Sequence, residues 1–463
     1  MILKKLLPTK NTNNQHQIIK NKYPEDKLIQ VATFFIIMIG LLFFFVFYND
    51  FKELHANRIG SILGTVIFVL TFSIFVYKIL FFIFMVFKYL KYKPLKSVPD
   101  SKLPTCTVIV PAYNEGKQVW STLMSLANSN YPPEKLELLA IDDGSLDDTW
   151  DWMLKAKDTL GYRLKIYKQP KNKGKRHALY RGFNLGKGKI FVTVDSDSIV
   201  TENTLRNLVS PFVINKKCGA VAGNIRVLNN KNEILPRMLD VSFVLSFEFV
   251  RSAESSMNSV LCTPGALAAY RSDAVRKCLP QWINQTFMGK PSDIGEDRAM
   301  TNMILKQGKH VLFQKNAIAY TKVPENYHGL YKMFIRWGRS NVRESIIMAK
   351  YVFTNFREGN KFGSRLLFVS YALRLVMCYP FIIFMLFFVL IHPLLFLGST
   401  LLSILVISTF SAVFYAYNNQ SKEAIWAYSY SILYAFGLFW ITPYAIATAS
   451  RRGWLTRGLS EKN

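Results

Sequence analysis

Apolar segments near residues 31–48, 60–87, 366–391, 393–416 and 424–448 each approach or exceed the roughly 20 residues that cross a hydrocarbon layer. Between the second and third, from Thr105 to about Ala319, no apolar run is long enough to do so, and strand-like and helix-like stretches alternate instead. Such a chain must satisfy two solvents. The expectation is a multi-pass membrane protein with an α/β domain inserted between transmembrane α-helices, its sheet mainly parallel because strands separated by helical stretches are joined by crossovers. Residues 1–30 read as a basic tail, 31–90 as two transmembrane helices joined by a short polar link around Asn49 to Arg58, and 105–325 as the inserted domain. Residues 326–360 read as interfacial helices, 365–450 as further membrane helices, and 451–463 as a basic carboxyl-terminal tail. An odd number of spans would leave the two tails on opposite sides. One segment is therefore expected to lie in the interface or re-enter, around Arg374 and Pro380, where a charge and a proline interrupt the apolar run.

The 58 Lys and Arg against 30 Asp and Glu leave a formal charge of +28. An excess of that size suits nucleic acid, anionic lipid, or an anionic substrate or product. Nucleic acid is set aside, because much of the excess flanks apolar spans: Lys88, Lys91, Lys93 and Lys96 after the second, Arg451, Arg452 and Arg457 after the last. This positive-inside pattern puts the amino terminus and the inserted domain in the cytoplasm. Met1 to Gln30 is polar and Lys-rich, unlike a cleavable signal. The five cysteines show no Cys-x-x-Cys spacing, so a zinc site has no support.

Three strand-like runs end on polar edges. Cys106 to Val110 leads into Pro111-Ala112-Tyr113-Asn114-Glu115, Leu136 to Ile141 into Asp142-Asp143-Gly144-Ser145, and Val192 to Val194 into Asp195-Ser196-Asp197. Open α/β sheets bind ligands at the carboxyl ends of their strands. Two carboxylates one residue apart suit a hard divalent cation shared with phosphates, although an acidic turn reads the same. Asp142 to Ser145 offers acceptors for a nucleobase or ribose, or a cap for a helix expected near Leu146. Gly174-Lys175-Arg176-His177-Ala178 looks like a basic, Gly-led helix start, where amides, helix dipole and cations together hold a diphosphate. Gly295-Glu296-Asp297-Arg298 opens a helix-like stretch; one of its carboxylates suits a general base, with Arg298 as a charge partner. Arg336-Trp337 lies on an amphipathic stretch from Tyr331 to Ala349, arginine to steady a leaving diphosphate and tryptophan to stack on a sugar. Cys262-Thr263-Pro264-Gly265 reads as a structural turn.

In this order, and between these apolar spans, the motifs resemble the membrane-embedded processive synthases of glycosyltransferase family two, which include hyaluronan, chitin, cellulose and nodulation chitin-oligosaccharide synthases. The runs Gly174 to Ala178, Thr193 to Asp197, Ile283 to Phe287, Gly295 to Arg298, Thr301-Asn302 and Arg343 to Ile347 read like those of bacterial hyaluronan synthases. The resemblance implies a GT-A type nucleotide-sugar transferase domain that uses UDP-sugars with Mg²⁺ or Mn²⁺ and inverts the anomeric centre. It further implies UDP-N-acetylglucosamine and UDP-glucuronate as donors. The polysaccharide would grow at the cytoplasmic face of the plasma membrane and pass out through the enzyme's own lipid-embedded helices. By the same resemblance Asp143 would contact the uridine, Lys175 and Arg176 the diphosphate, and Asp195 with Asp197 the nucleotide and metal. Asp297 would be the base, and Arg336 with Trp337 would close a Gln-x-x-Arg-Trp signature. By a looser resemblance to the synthases, the Cys262 to Gly265 loop would lie on the acceptor side. Two positions depart from the pattern: Met333 stands where the signature has glutamine, and Leu455 where a Trp-Gly-Thr-Arg gating segment, here Trp454 to Arg457, has glycine. A polymer of one sugar, a single transfer to a lipid carrier, and a catalytically dead membrane scaffold are the competing readings. The four acids Asp143, Asp195, Asp197 and Asp297 together speak against the last.

Overall fold

The computed structural model describes residues 24–230, 233–419 and 422–451. The stretch before residue 24 and the Trp454 to Arg457 segment lie outside the described residues. Among the described residues ten strands form: β1 (Cys106–Ala112), β2 (Leu136–Asp142), β3 (Leu164–Lys168), β4 (Ile190–Thr193), β5 (Ile199–Val200), β6 (Cys218–Val227), β7 (Ala268–Arg271), β8 (Thr286–Phe287), β9 (Lys290–Pro291) and β10 (His310–Thr321). Eight make one sheet in the order β3-β2-β1-β4-β7-β6-β10-β5, and β8 with β9 make a separate hairpin.

The apolar runs become fully buried strands because helices cover both faces of the sheet. In β1, Ile109 faces one core with Ala178, Leu179 and Phe183 of the helix Lys175–Leu185. Val108 and Val110 face the other, with Val119, Leu123 and Leu126 of the helix Gln118–Ala127. β1 pairs in parallel with β2 and with β4. The chain thus builds outward to β3 on one side of β1 and returns to the other side at β4, and the crevice of such a sheet opens where that order reverses.

The sheet is mainly parallel, as expected, with two strands, β7 and β5, reversed. β7 runs antiparallel to both of its neighbours, β4 and β6, and β5 runs antiparallel to β10. An antiparallel β7 begins at the edge where β4 ends, so the segment just before it, Cys262 to Leu267, is delivered to that edge.

Among the described residues, two helices, Ile62–Lys91 and Pro393–Asn419, are long and apolar enough to cross a membrane by themselves. Three bent pairs raise the count to as many as five: Lys27–Phe43 with Tyr48–Ala56, Phe362–Val376 with Cys378–Ile391, and Glu423–Gly437 with Ile441–Ala447. The polar link expected around Asn49 to Arg58 is itself helical, Tyr48–Ile59. The expected interruption near Arg374 and Pro380 is a 43° bend at Met377. Pro380 lacks the N–H that would bond back to the carbonyl of Val376, which accounts for the break there. Polar contacts join the sheet domain to the feet of these helices: Arg226 Nη1 to Asn419 Oδ1 at 3.0 Å, Lys315 Nζ to Asn418 Oδ1 at 3.0 Å, and Arg237 Nη2 to Glu423 Oε1 at 2.8 Å.

Candidate active site

A cavity of about 790 Å³ opens at the carboxyl ends of β1, β2 and β4 and continues between the helices Tyr327–Ala349, Phe362–Val376 and Ile441–Ala447. Seven of the eight residues singled out from the sequence stand on its wall: Asp143, Lys175, Asp195, Asp197, Asp297, Arg336 and Trp337. Arg176 does not.

At the end of β2, Asp142 Oδ1 accepts both the amide and the hydroxyl of Ser145, at 2.9 and 2.5 Å. Ser145 therefore closes the strand-end turn, and the following helix starts at Thr149, not near Leu146. Gly144 at φ +75° serves this turn, since a Cβ there would stand 2.7 Å from the backbone of Lys171. The Asp143 carboxylate accepts the amides of Gly174 at 2.7 Å and Lys173 at 3.0 Å, and Gln169 Nε2 at 2.5 Å. Burial pushes its pKa up to about 6 against the pull of those three hydrogen bonds.

The basic motif does begin a helix, with Gly174 at φ +93° in front of Lys175. Helical geometry then turns its two cations apart. Lys175 Nζ enters the cavity, pairing with Asp195 and, at 3.2 Å, with Glu296 Oε1. Burial would depress the Lys175 ammonium, but the charges of Asp195 and Glu296 hold it above its ordinary value. Arg176 is buried in the core instead. Its Nη1 donates to the Trp282 carbonyl at 2.7 Å and to Gln285 Oε1 at 2.9 Å, and its guanidinium lies over the Trp282 ring. A diphosphate contact for Arg176 is not what this geometry offers.

After β4 the chain turns through Asp195 to Asp197, anchored by Thr122, whose hydroxyl donates to the Ser196 carbonyl at 2.8 Å, and by Thr321, whose hydroxyl reaches Asp197 Oδ1 at 3.3 Å. Both carboxylates face the cavity, and no group of three or more His, Cys, Asp or Glu side chains gathers as a complete metal cage among the described residues. Two carboxylates with an open side fit Mg²⁺ or Mn²⁺, which takes the rest of its oxygens from water and substrate phosphates.

Across the cavity, Gly295 at φ +79° starts the helix Glu296–Lys306. Asp297 Oδ1 accepts the amide of Arg298 at 2.7 Å and Oδ2 the amide of Gly265 at 3.1 Å. Burial, reinforced by the charge of Glu296, raises its pKa, while Lys175 opposes. The expected charge partner is displaced: the Arg298 guanidinium donates to Asn341 Oδ1 at 2.7 Å and lies over the Tyr371 ring, so only its backbone serves Asp297. A Cβ on Gly265 would stand 2.6 Å from Lys175 Nζ, so a side chain there would push the lysine's flexible end aside.

The helix Tyr327–Ala349, capped by Asn326 on the Gly329 amide at 2.9 Å, brings Met333, Arg336 and Trp337 to the far wall. Trp337, 39% exposed, lies 6.2 Å from the Phe243 ring. Sequence reasoning missed several neighbours: Gly265 as a donor to Asp297, Phe243, Phe247 and Arg251, and Tyr430 with Tyr434. Gly265 lies in the Cys262 to Gly265 loop noted from the sequence; the others carry no local motif. Two short π-helical turns, Leu245–Val250 and Leu433–Gly437, border the cavity beside these residues, and such turns re-aim side chains in ways that periodicity does not reveal.

Residues 104–340 match the family described as "Glycosyltransferase like family 2". An N-acetylglucosaminyltransferase of Rhizobium meliloti (strain 1021) is 32% identical over 256 residues, 55% of this chain and 59% of that protein. A hyaluronan synthase of Streptococcus pyogenes is 31% identical over 270 residues, 57% of this chain and 63% of that protein. The chain thus spans about three-fifths of the length of the curated relatives it matches. Among solved structures, the mannosyltransferase PcManGT of Pyrobaculum calidifontis, in complex with GDP-Man and Mn²⁺, superposes with a TM-score of 0.54 at 22% identity, over 83% of this chain and 96% of that one. That likeness concerns the fold, which is of the GT-A glycosyltransferase type.

Proposed function

The chain belongs to the family 2-like glycosyltransferases, and with that inverting transferase family as the premise we propose that it polymerises UDP-sugars into a β-linked polysaccharide, hyaluronan-like in composition. The observation that carries the reading is the continuity of one cavity from Asp143, Lys175, Asp195 and Asp197, past Asp297, to the aromatic and arginine side chains of the helix bundle. A single transfer needs no such extension. The chain would lie in the plasma membrane with residues 105–325 cytoplasmic, and the polymer would leave between its helices.

In the proposed reaction Asp143 and its loop receive the uridine, and Lys175 turns toward the diphosphate. Asp195 and Asp197 would hold Mg²⁺ or Mn²⁺, which supplies charge neutralisation for the departing diphosphate. Asp297 takes the proton from the acceptor hydroxyl; its oxygen attacks the anomeric carbon of the donor, and the bond from that carbon to the diphosphate oxygen breaks. A carboxylate raised by burial is a better proton acceptor than an exposed one. Arg336 steadies the departing charge and Trp337 packs on the acceptor ring.

The N-acetylglucosaminyltransferase relative, as similar as the hyaluronan synthase, favours a second reading in which the polymer contains one sugar. The test is incubation of the purified protein in nanodiscs with labelled UDP-N-acetylglucosamine and UDP-glucuronate, singly and paired, followed by linkage-specific hydrolases. Polymer that requires both donors and is cut by a hyaluronan lyase upholds the first reading. Robust polymer from UDP-N-acetylglucosamine alone upholds the second.

A further inference from the structure

The acids of the cavity wall are confined to one side, where Lys175 and Arg298 stand among them. Every acid on it, Asp143, Asp195, Asp197, Glu296 and Asp297, stands at the sheet edge or at the helix start opposite, whereas the helix-bundle side carries Arg251, Arg336 and Arg374. Arg251 is neutralised by Glu254 at 2.9 Å, and Arg336 adjoins the site of chemistry. Arg374 is different. It sits near the bend of an apolar helix pair, with the Tyr371 ring 4.9 Å from its guanidinium carbon and the Cys378 thiol within its electrostatic reach, and among the described residues no carboxylate is paired to it. An arginine within an apolar span is costly to insert unless it meets an anion or water. Tyr371 leads back to the chemistry, because the Arg298 guanidinium lies 5.5 Å from the centroid of the same ring and Arg298 follows Asp297. With the donor diphosphate placed at Lys175 by the reading above, an anion that reaches Arg374 through the cavity comes from the acceptor.

Resting on the polymer-forming reading above, we propose that Arg374 and Tyr371 form a subsite for the carboxylate of an acidic sugar in the growing chain. The ring supports the sugar face while the guanidinium fork takes both carboxylate oxygens. Such a subsite would favour acceptors that alternate neutral and acidic sugars over wholly neutral ones.

The test compares acceptors in the full chain, held in nanodiscs of neutral lipid. Primers of equal length, one of N-acetylglucosamine alone and one alternating with glucuronate, are extended by wild type, Arg374→Gln and Arg374→Lys, and the ratio of kcat/KM for acidic over neutral primer is read. Loss of a charge-assisted hydrogen bond should lower that ratio about ten- to a hundredfold in Arg374→Gln, through the KM of the acidic primer, with Arg374→Lys in between. Wild type gives a reading that does not depend on any variant folding: its preference for the acidic primer should shrink as ionic strength rises. An unchanged ratio, an equal loss on both primers, or an effect that appears only with anionic lipid would overturn the subsite. Transfer to the neutral primer alone would refute the subsite and leave the transferase standing, whereas transfer to neither primer would refute the polymer reading itself.

Discussion

Replacing Asp297 with Asn separates the proposed base from a merely structural acid. The carboxylate accepts two backbone amides, Arg298 on Oδ1 and Gly265 on Oδ2. An asparagine can keep one of them with its carbonyl, leaving its NH2 to face the other amide, an unsatisfied contact worth about 1 to 3 kcal/mol. Against that cost stands a gain. Because burial and Glu296 raise the folded-state pKa of Asp297, the folded chain binds more protons than the unfolded one between the two pKa values. This group's contribution to stability is therefore greatest at acid pH and declines as pH rises through the folded pKa. Removing its charge relieves that penalty at neutral pH, so Tm should change little. Turnover should not escape so lightly. Loss of a general base typically costs about 10² to 10⁴ in rate, about 3 to 5 kcal/mol of transition-state stabilisation. The assay is steady-state UDP release beside calorimetric titration of UDP-sugar, with the wild-type profile of kcat taken from acid to neutral pH. Donor affinity should hold within a few-fold while kcat collapses, and the acid limb of wild type should lie above the ordinary Asp pKa of about 3.9. Donor affinity falling in proportion to kcat, or an acid limb at the ordinary carboxylate position, would refute the assignment.

Asp197→Asn should abolish most transfer and shift the metal titration to higher concentration, and wild-type turnover that survives a strong chelator would sink the metal assignment. Gly265→Ala should crowd Lys175 Nζ away from Asp195, with donor KM rising and turnover dropping about tenfold in kinetic measurements, a steric loss of about 1.4 kcal/mol. For Arg176→Ala the expected injury is to stability, about 1.5 to 3 kcal/mol for each charged hydrogen bond lost. Differential scanning fluorimetry should show it as a lower Tm, and donor affinity in the folded protein should suffer less than in Lys175→Ala.

Lys175 and Arg176 show where pattern stops and packing begins. Composition and period identify a Gly-led basic helix start, but successive residues on a helix point about 100° apart. Which of the two faces the cavity depends on what lies behind, here Trp282 and Gln285 from more than 100 residues further on. Gly265 and Asp297 are likewise joined across 32 residues of chain by one amide hydrogen bond, and nothing in either local motif announces it.

The strand ends, the acids that follow them and the apolar spans were legible in the sequence, because each follows from local rules: β-branched runs bury, chains turn at Asp and Gly, and hydrocarbon tolerates only long apolar helices. Tertiary structure alone decided that β7 enters antiparallel and so carries Cys262 to Gly265 to the site, and that the polar link after the first apolar helix is itself a helix. It also decided that Arg374 shares a cavity with Asp297. The physical reason is the same in each case. A segment's period settles which of its faces is apolar, whereas the neighbour that covers the face comes from distant parts of the chain and is selected by the packing of the whole.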